Sequence, residues 1–193
     1  MKKKIFILSG SPKKDGNTSV LIDWFVEGAK NKNTEIEAIN VAGLKYKSVG
    51  CISCRACQKL DNYECVINDD VKEILQKIGK ADVIVMATPL YFFSASAQLK
   101  IIIDRMFSLF KWDNKAGTMK TILEGKTFVL IASAYEDVGL NALQEPFSLT
   151  AKYAGMKYKK LLIPCAGVSG DIKNNSIARA KAIQLGREIS DGL

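Results

Sequence analysis

Four of the five cysteines share one short stretch, Cys51-x2-Cys54-x2-Cys57-x7-Cys65. Three thiols at a spacing of three, with a fourth after a gap, match the way ferredoxins hold an iron–sulfur cluster. A structural zinc more often takes two separated pairs of ligands, which this pattern fits less well. The pair Cys54-x2-Cys57 also has the spacing of a redox-active dithiol. Cluster, thiol pair and zinc are therefore the chemistries open to this segment. The fifth cysteine, Cys165, closes an apolar run, where a small buried apolar role suits it. Asp69-Asp70, just after the cysteines, reads as a helix cap and first-turn charge rather than as metal ligands. The chain has no histidine. The commonest general base and metal ligand is thus missing, so imidazole-based triads and histidine-containing zinc sites are excluded. Reactivity must come from a cofactor, thiolates, carboxylates, lysine or tyrosine.

A second constellation is the turn Ser9-Gly10-Ser11-Pro12-Lys13-Lys14-Asp15-Gly16-Asn17-Thr18-Ser19. It joins an apolar run to a helical pattern, and a helix start there offers free N–H groups and a positive dipole end to a phosphate. The P-loop pattern requires a lysine directly after its last glycine; here Asn17 follows Gly16. The alternative is that Asn17 or Thr18 only caps a helix. A third constellation is Thr88-Pro89-Leu90-Tyr91-Phe92-Phe93-Ser94-Ala95-Ser96-Ala97-Gln98-Leu99-Lys100. Its three consecutive aromatics cannot all face the core of their own subunit, so some must cover a planar ligand or a second subunit. Ser133-Ala134-Tyr135-Glu136-Asp137-Val138-Gly139 follows a later apolar run and should emerge at the same edge.

Five short apolar runs, at 4–8, 35–41, 82–87, 127–133 and 158–164, must position these loops. Such runs suit strands buried on both faces of a parallel sheet. Helical stripes alternate with them: Val20, Leu21, Trp24, Phe25 and Gly28; Val71, Ile74, Leu75 and Ile78; Ala97, Ile101, Met106 and Phe110; Leu143, Phe147, Ala151 and Ala154; Ile177, Ile183, Gly186 and Ile189. Strand alternating with helix predicts an α/β, doubly wound five-stranded parallel sheet with helices on both faces. Ligands then bind beyond the carboxyl ends of the strands. One domain over 1–193 is expected, with a cysteine-rich loop insertion at about 43–68 and a long connection over 111–125.

Residues 9–18 resemble the phosphate loop of the NADPH-dependent FMN reductase group of flavodoxin-like proteins. Residues 88–100, with Asp104-Arg105, resemble that group's isoalloxazine loop and following helix. The resemblance implies a flavodoxin-like sheet of order 2-1-3-4-5, FMN, NAD(P)H as transient electron donor, and a homodimer or tetramer. It puts the phosphate on Ser9, Ser11, Asn17, Thr18 and Ser19, with Lys13 beside them. The ring would lie against Pro89, Leu90, Tyr91, Phe92 and Phe93 and the loop holding Ser133 and Tyr135. The flavin N5 then carries the chemistry and no side chain is catalytic; Tyr91, Tyr135 and Glu136 are proton-handling candidates by location only. The cysteine spacing is similar to the compact motif of iron–sulfur flavoproteins, a branch of this group. That likeness would put a [4Fe-4S] cluster on Cys51, Cys54, Cys57 and Cys65, with a ferredoxin-like protein as an alternative electron donor. The expected activity is an FMN-dependent NAD(P)H oxidoreductase passing electrons to a small or protein acceptor; the alternative is a non-enzymatic electron carrier.

The net charge of +8 comes from 28 basic and 20 acidic residues, but only four of the basic ones are arginine. Arginine is the main reader of bases, so nucleic acid is not the expected partner. The opening lysines and the run at 5–8 imitate a signal peptide, yet the run is too short for an h-region. No stretch approaches the roughly 20 apolar residues of a membrane span. A cytoplasmic protein with reduced thiols is expected.

Overall fold

The computed structural model describes residues 1–113 and 115–192. Five parallel strands, β1 (Lys3–Ser9), β2 (Thr34–Asn40), β3 (Val83–Pro89), β6 (Thr127–Ser133) and β7 (Lys157–Ile163), form one sheet of order β2-β1-β3-β6-β7. Counting sheet strands alone, this is the expected 2-1-3-4-5. Helices α1 (Asn17–Ala29) and α5 (Ser176–Asp191) cover one face; α2 (Asp70–Lys80), α3 (Ala97–Arg105) and α4 (Leu140–Tyr153) cover the other.

Side chains alternate across a strand, so each central strand feeds both layers. Ile5, Ile7, Val83, Val85, Val129 and Ile131 pack beneath α1 and α5. Phe6, Leu8, Ile84, Met86, Phe128 and Leu130 pack beneath α2, α3 and α4. The expectation of double burial holds for β1, β3 and β6 but not for the edges. β2 exposes Glu35, Glu37 and Ala38, and β7 exposes Lys157 and Lys160. An edge strand has a neighbour on one side only, so the helices cover it less completely.

Helix α1 meets α5 at near-backbone contact. A Cβ on Gly28 would overlap the Ile183 carbonyl, and one on Gly186 would overlap the Phe25 carbonyl. The buried stripe of α5 is Ala178, Ala182, Leu185, Gly186 and Ile189, with the smallest residue at the closest approach. The expected stripe included Ile177, which is exposed in the first turn of α5.

Two further expectations change. The third helix was expected to run through Phe110; α3 ends at Arg105 and a 3-10 turn spans Met106–Leu109. The Ser108 hydroxyl donates to the Arg105 carbonyl at 3.1 Å, a local bond that competes with helix continuation. Residues 111–125 are not an irregular connection either, because β4 (Phe110–Asp113) and β5 (Thr118–Thr121) pair as an antiparallel hairpin. That hairpin clamps the cysteine segment. Lys111 Nζ donates to the Cys57 and Leu60 carbonyls, and Gln58 Nε2 donates to the Phe110 carbonyl at 2.9 Å. The two long insertions fold into one unit.

Candidate active site

The first site lies beyond the carboxyl ends of β1, β3, β6 and β7. The Gly10 N–H donates to the Ala87 carbonyl at 2.7 Å, tying the loop after β1 to β3. A Cβ on Gly10 would come within 2.6 Å of Ser96 Oγ and 2.9 Å of Leu99 Cβ, so only glycine lets the loop pass the start of α3. Gly16 precedes α1 in an extended conformation without a side-chain cap, and the first turn holds no acidic residue. The first amides of α1 therefore lack capping partners, and its positive end is unopposed within the helix.

The serines and threonine of this loop divide into distinct roles. Ser11 Oγ accepts from the Lys13 N–H at 3.3 Å and donates to the Lys13 carbonyl at 3.2 Å, and Ser19 Oγ donates to the same carbonyl at 3.2 Å. These hydroxyls shape the turn. Thr18 Oγ1 and Ser133 Oγ lie 3.4 Å apart, bridging two loops. Ser9 Oγ is buried with no hydrogen-bond partner.

Asn17 does something the sequence did not announce. Its Nδ2 donates to the carbonyls of Ala166 (2.9 Å), Gly167 (3.2 Å) and Val168 (3.0 Å), while its Oδ1 accepts from the N–H groups of Gly170 (2.8 Å) and Ile172 (3.4 Å). Its side chain pins the loop after β7 to the start of α1, which leaves its backbone N–H, not its amide, for an anion. That last loop is the part sequence reasoning missed. A cavity of about 150 Å³ is bordered by Ser11, Lys13, Asn17, Thr18, Pro89, Leu90, Tyr91, Ser133 and Tyr135, and also by Gly167 and Ser169. The signal was available: Gly167-Val168-Ser169-Gly170 follows the fifth strand at the same sheet edge.

Ser9, Ser19, Phe92 and Phe93 do not border this cavity. The aromatic turn is closed by reciprocal bonds of 3.0 Å between Tyr91 and Ser94. Phe92 (φ 45°) and Phe93 (φ 62°) are left-handed, a conformation that side-chain-bearing residues rarely adopt and that clusters at functional sites. Phe93 borders a cavity together with Leu143, Pro146 and Phe147 of α4. Phe92 is 99% exposed, and Tyr91, Tyr135 and Val138 are exposed around it.

The second site is the cysteine segment. Cys51, Cys54, Cys57 and Cys65 all border one cavity of about 20 Å³, together with Arg105. Left-handed Ser53 and Arg55, both at φ 54°, turn the chain between the first three cysteines. Cys51 and Cys54 are exposed; Cys57 and Cys65 are buried. Burial pushes the Cys57 thiol up, Gln58 opposes this through a hydrogen bond, and the neighbouring Cys65 and Cys54 push it further up. Among the described residues no three cysteine or carboxylate side chains are already gathered at metal-holding distance. Cys165 is exposed, with φ 51°, and not the buried apolar residue expected.

Asp69 stands at the N-cap position of α2 but makes no capping bond. Its carboxylate accepts from Arg105 Nη1 at 2.7 Å and the Lys47 N–H at 2.9 Å. Burial alone would raise its pKa; the Arg105 and Lys47 bonds outweigh that and hold it below the usual carboxylate range. The cap expected from the sequence is an ion-pair partner instead.

Residues 3–160 match the family described as NADPH-dependent FMN reductase. The chain belongs to this family. It is thereby an NAD(P)H-dependent flavin oxidoreductase by family, with the flavodoxin-like fold. An iron–sulfur flavoprotein of Methanocaldococcus jannaschii is 33% identical, with 97% of this chain and 96% of that protein aligned. An iron–sulfur flavoprotein of Methanosarcina thermophila is 35% identical over 62% of each chain. Among solved structures, an FMN-dependent NADH-azoreductase from Bacillus anthracis in complex with FMN shares the fold. Its TM-score is 0.73 at 18% identity, over 97% of this chain and all of that one. The NAD(P)H:quinone oxidoreductase from Methanothermobacter marburgensis also gives 0.73 at 18% identity, over 98% of both chains. No helix among the described residues is long and apolar enough to cross a membrane.

Proposed function

We propose that this FMN reductase family member binds FMN as a single domain over 1–193, with the phosphate at the start of α1 and the ring along Pro89, Leu90, Tyr91 and Tyr135. The observation that carries this is the uncapped N-terminus of α1, opening on a cavity that also touches the aromatic loop. The buried, unpartnered Ser9 Oγ lies at the end of β1, just before this loop. Lys13 at the rim supplies charge. When bound, FMN supplies the electron-accepting centre, and NAD(P)H is the transient donor. The chain binds, orients and shields: the α1 amides hold the phosphate, Asn17 keeps the 166–172 loop over it, and Pro89 with Tyr91 limits how the ring lies.

At about 150 Å³ the cavity is smaller than the roughly 300–1,000 Å³ of pockets that enclose a whole ligand. The ring therefore rests at an open rim beside exposed Tyr91 and Tyr135, with exposed Phe92, Phe93 and Val138 in the same two loops. A second copy of the chain, in a homodimer or a tetramer, is the cover that suits such an apolar rim. The four cysteines would hold a [4Fe-4S] cluster. Support comes from their shared cavity and from the buried cation beside it. The same cavity favours a second reading, a carrier relaying single electrons from a ferredoxin-like donor.

The test is the visible spectrum of anaerobically purified protein, followed by NADPH. Flavin bands that bleach promptly with NADPH alone support the reductase. Flavin that resists NADPH but is reduced by ferredoxin supports the carrier, and a protein without flavin refutes both.

A further inference from the structure

Arg105 is the bulkiest fully buried side chain of the protein, with 1% of its surface exposed. It sits at the last turn of α3, and its partner Asp69 is 2% exposed at the side chain. Nη1 bonds Asp69; Nη2 donates to the Ile67 carbonyl at 3.2 Å and to Cys65 Sγ at 3.4 Å. Arg105 Nε and Asp69 Oδ1 remain buried without partners. A buried ion pair is weak evidence for stability, since a well-packed apolar pair of similar volume often serves as well. The guanidinium also ties the 65–69 segment to the end of α3. What the pair does achieve is to fix a desolvated positive charge on one thiol of the four-cysteine cavity. The neighbouring Lys111 ammonium donates to the Cys57 and Leu60 carbonyls.

We propose that Arg105, held in place by Asp69, is the positioning residue that sets the reduction potential of the cysteine site through its hydrogen bond to Cys65 Sγ. This rests on the cluster reading given above. A cluster held there would gain one unit of negative charge on taking up one electron. A cation and an N–H donor at a ligand sulfur stabilise the reduced form more than the oxidised one, raising the potential. The two partners then have opposite signs. Removing the Arg105 charge lowers the potential; removing the Asp69 charge leaves the guanidinium uncompensated and raises it.

The experiment compares wild type, Arg105→Gln, Asp69→Asn and Lys181→Gln, each purified anaerobically. Lys181 is exposed on α5, on the opposite face of the sheet. Iron and acid-labile sulfide are measured first, then the cluster midpoint potential by an EPR-monitored redox titration. A wild-type protein that is folded but holds no cluster refutes the cluster reading itself. Given a loaded wild type, Arg105→Gln is expected to shift the one-electron equilibrium at least tenfold toward the oxidised form, about 59 mV downward. Asp69→Asn is expected to move upward, and Lys181→Gln to stay put. Arg105→Lys, which keeps the cation, should recover part of the loss. The proposal is overturned if Arg105→Gln leaves the potential in place, if both pair variants move the same way, or if Lys181→Gln moves as far as Arg105→Gln. Folded pair variants that both lack the cluster overturn it too, because the pair would then act in assembly.

Discussion

Replacing Asn17 with aspartate separates two roles that one side chain could play at the phosphate end. Aspartate keeps an oxygen for the Gly170 and Ile172 N–H groups but loses both hydrogens of Nδ2. It also turns a carboxylate oxygen toward the Ala166, Gly167 and Val168 carbonyls, now 2.9–3.2 Å from nitrogen. Each lost hydrogen bond is worth about 0.5–1.5 kcal/mol, and leaving a carbonyl unpaired beside an anion costs more. Asn17 is only half-buried, so water recovers part of the loss and a total of about 1–3 kcal/mol is expected. For a chain of this size that lowers the melting temperature by roughly 2–12 °C. The loss should appear in flavin-free protein, because the loop 166–172 is pinned whether or not phosphate is bound. Differential scanning calorimetry of flavin-free wild type and variant measures it, and fluorescence titration with FMN measures the accompanying loss of affinity. An unchanged melting temperature with weakened FMN binding would refute the pinning role and make Asn17 a phosphate ligand.

Gly28→Ala or Gly186→Ala should each destabilise the protein by about 1–3 kcal/mol, because the added methyl meets backbone and not a movable side chain; urea unfolding reads this, and a neutral result would mean that α1 and α5 can separate cheaply. The carboxyl of Asp69 binds protons more weakly in the folded chain than in the unfolded one. Its contribution to stability is thus complete above the unfolded value near pH 4 and fades as pH falls through the lower folded value. Asp69→Asn should cost about 3–5 kcal/mol near neutral pH and flatten that acid limb; an acid limb identical to wild type in a pH series of melts would count against the pairing. In cluster-free reduced protein, iodoacetamide should alkylate exposed Cys51 and Cys54 well before buried Cys57, whose raised pKa leaves little thiolate. Mass spectrometry at timed quenches gives the order, and a fast Cys57 would contradict it.

Periodicity and turn chemistry along the chain marked out the parallel strands and the helices between them, while the strand order followed from the family resemblance. Short runs of Ile and Val read as strands of a parallel sheet, and a glycine- and hydroxyl-rich turn before a helical stripe reads as a loop at its carboxyl edge. The same local signals misread positions where a distant segment decides. Asn17 has the type and place of a cap or an anion ligand, but its partners lie some 150 residues away. Asp69 reads as a cap until Arg105 arrives from α3 to claim its carboxylate. Ile177 reads as core, yet the tertiary structure leaves it exposed in the first turn of α5. The cysteine spacing marked four sulfurs as a candidate set; only the tertiary structure put a buried guanidinium on one of them. Periodicity and turn chemistry act over a few residues, whereas burial, charge pairing and close approach depend on what the fold brings alongside.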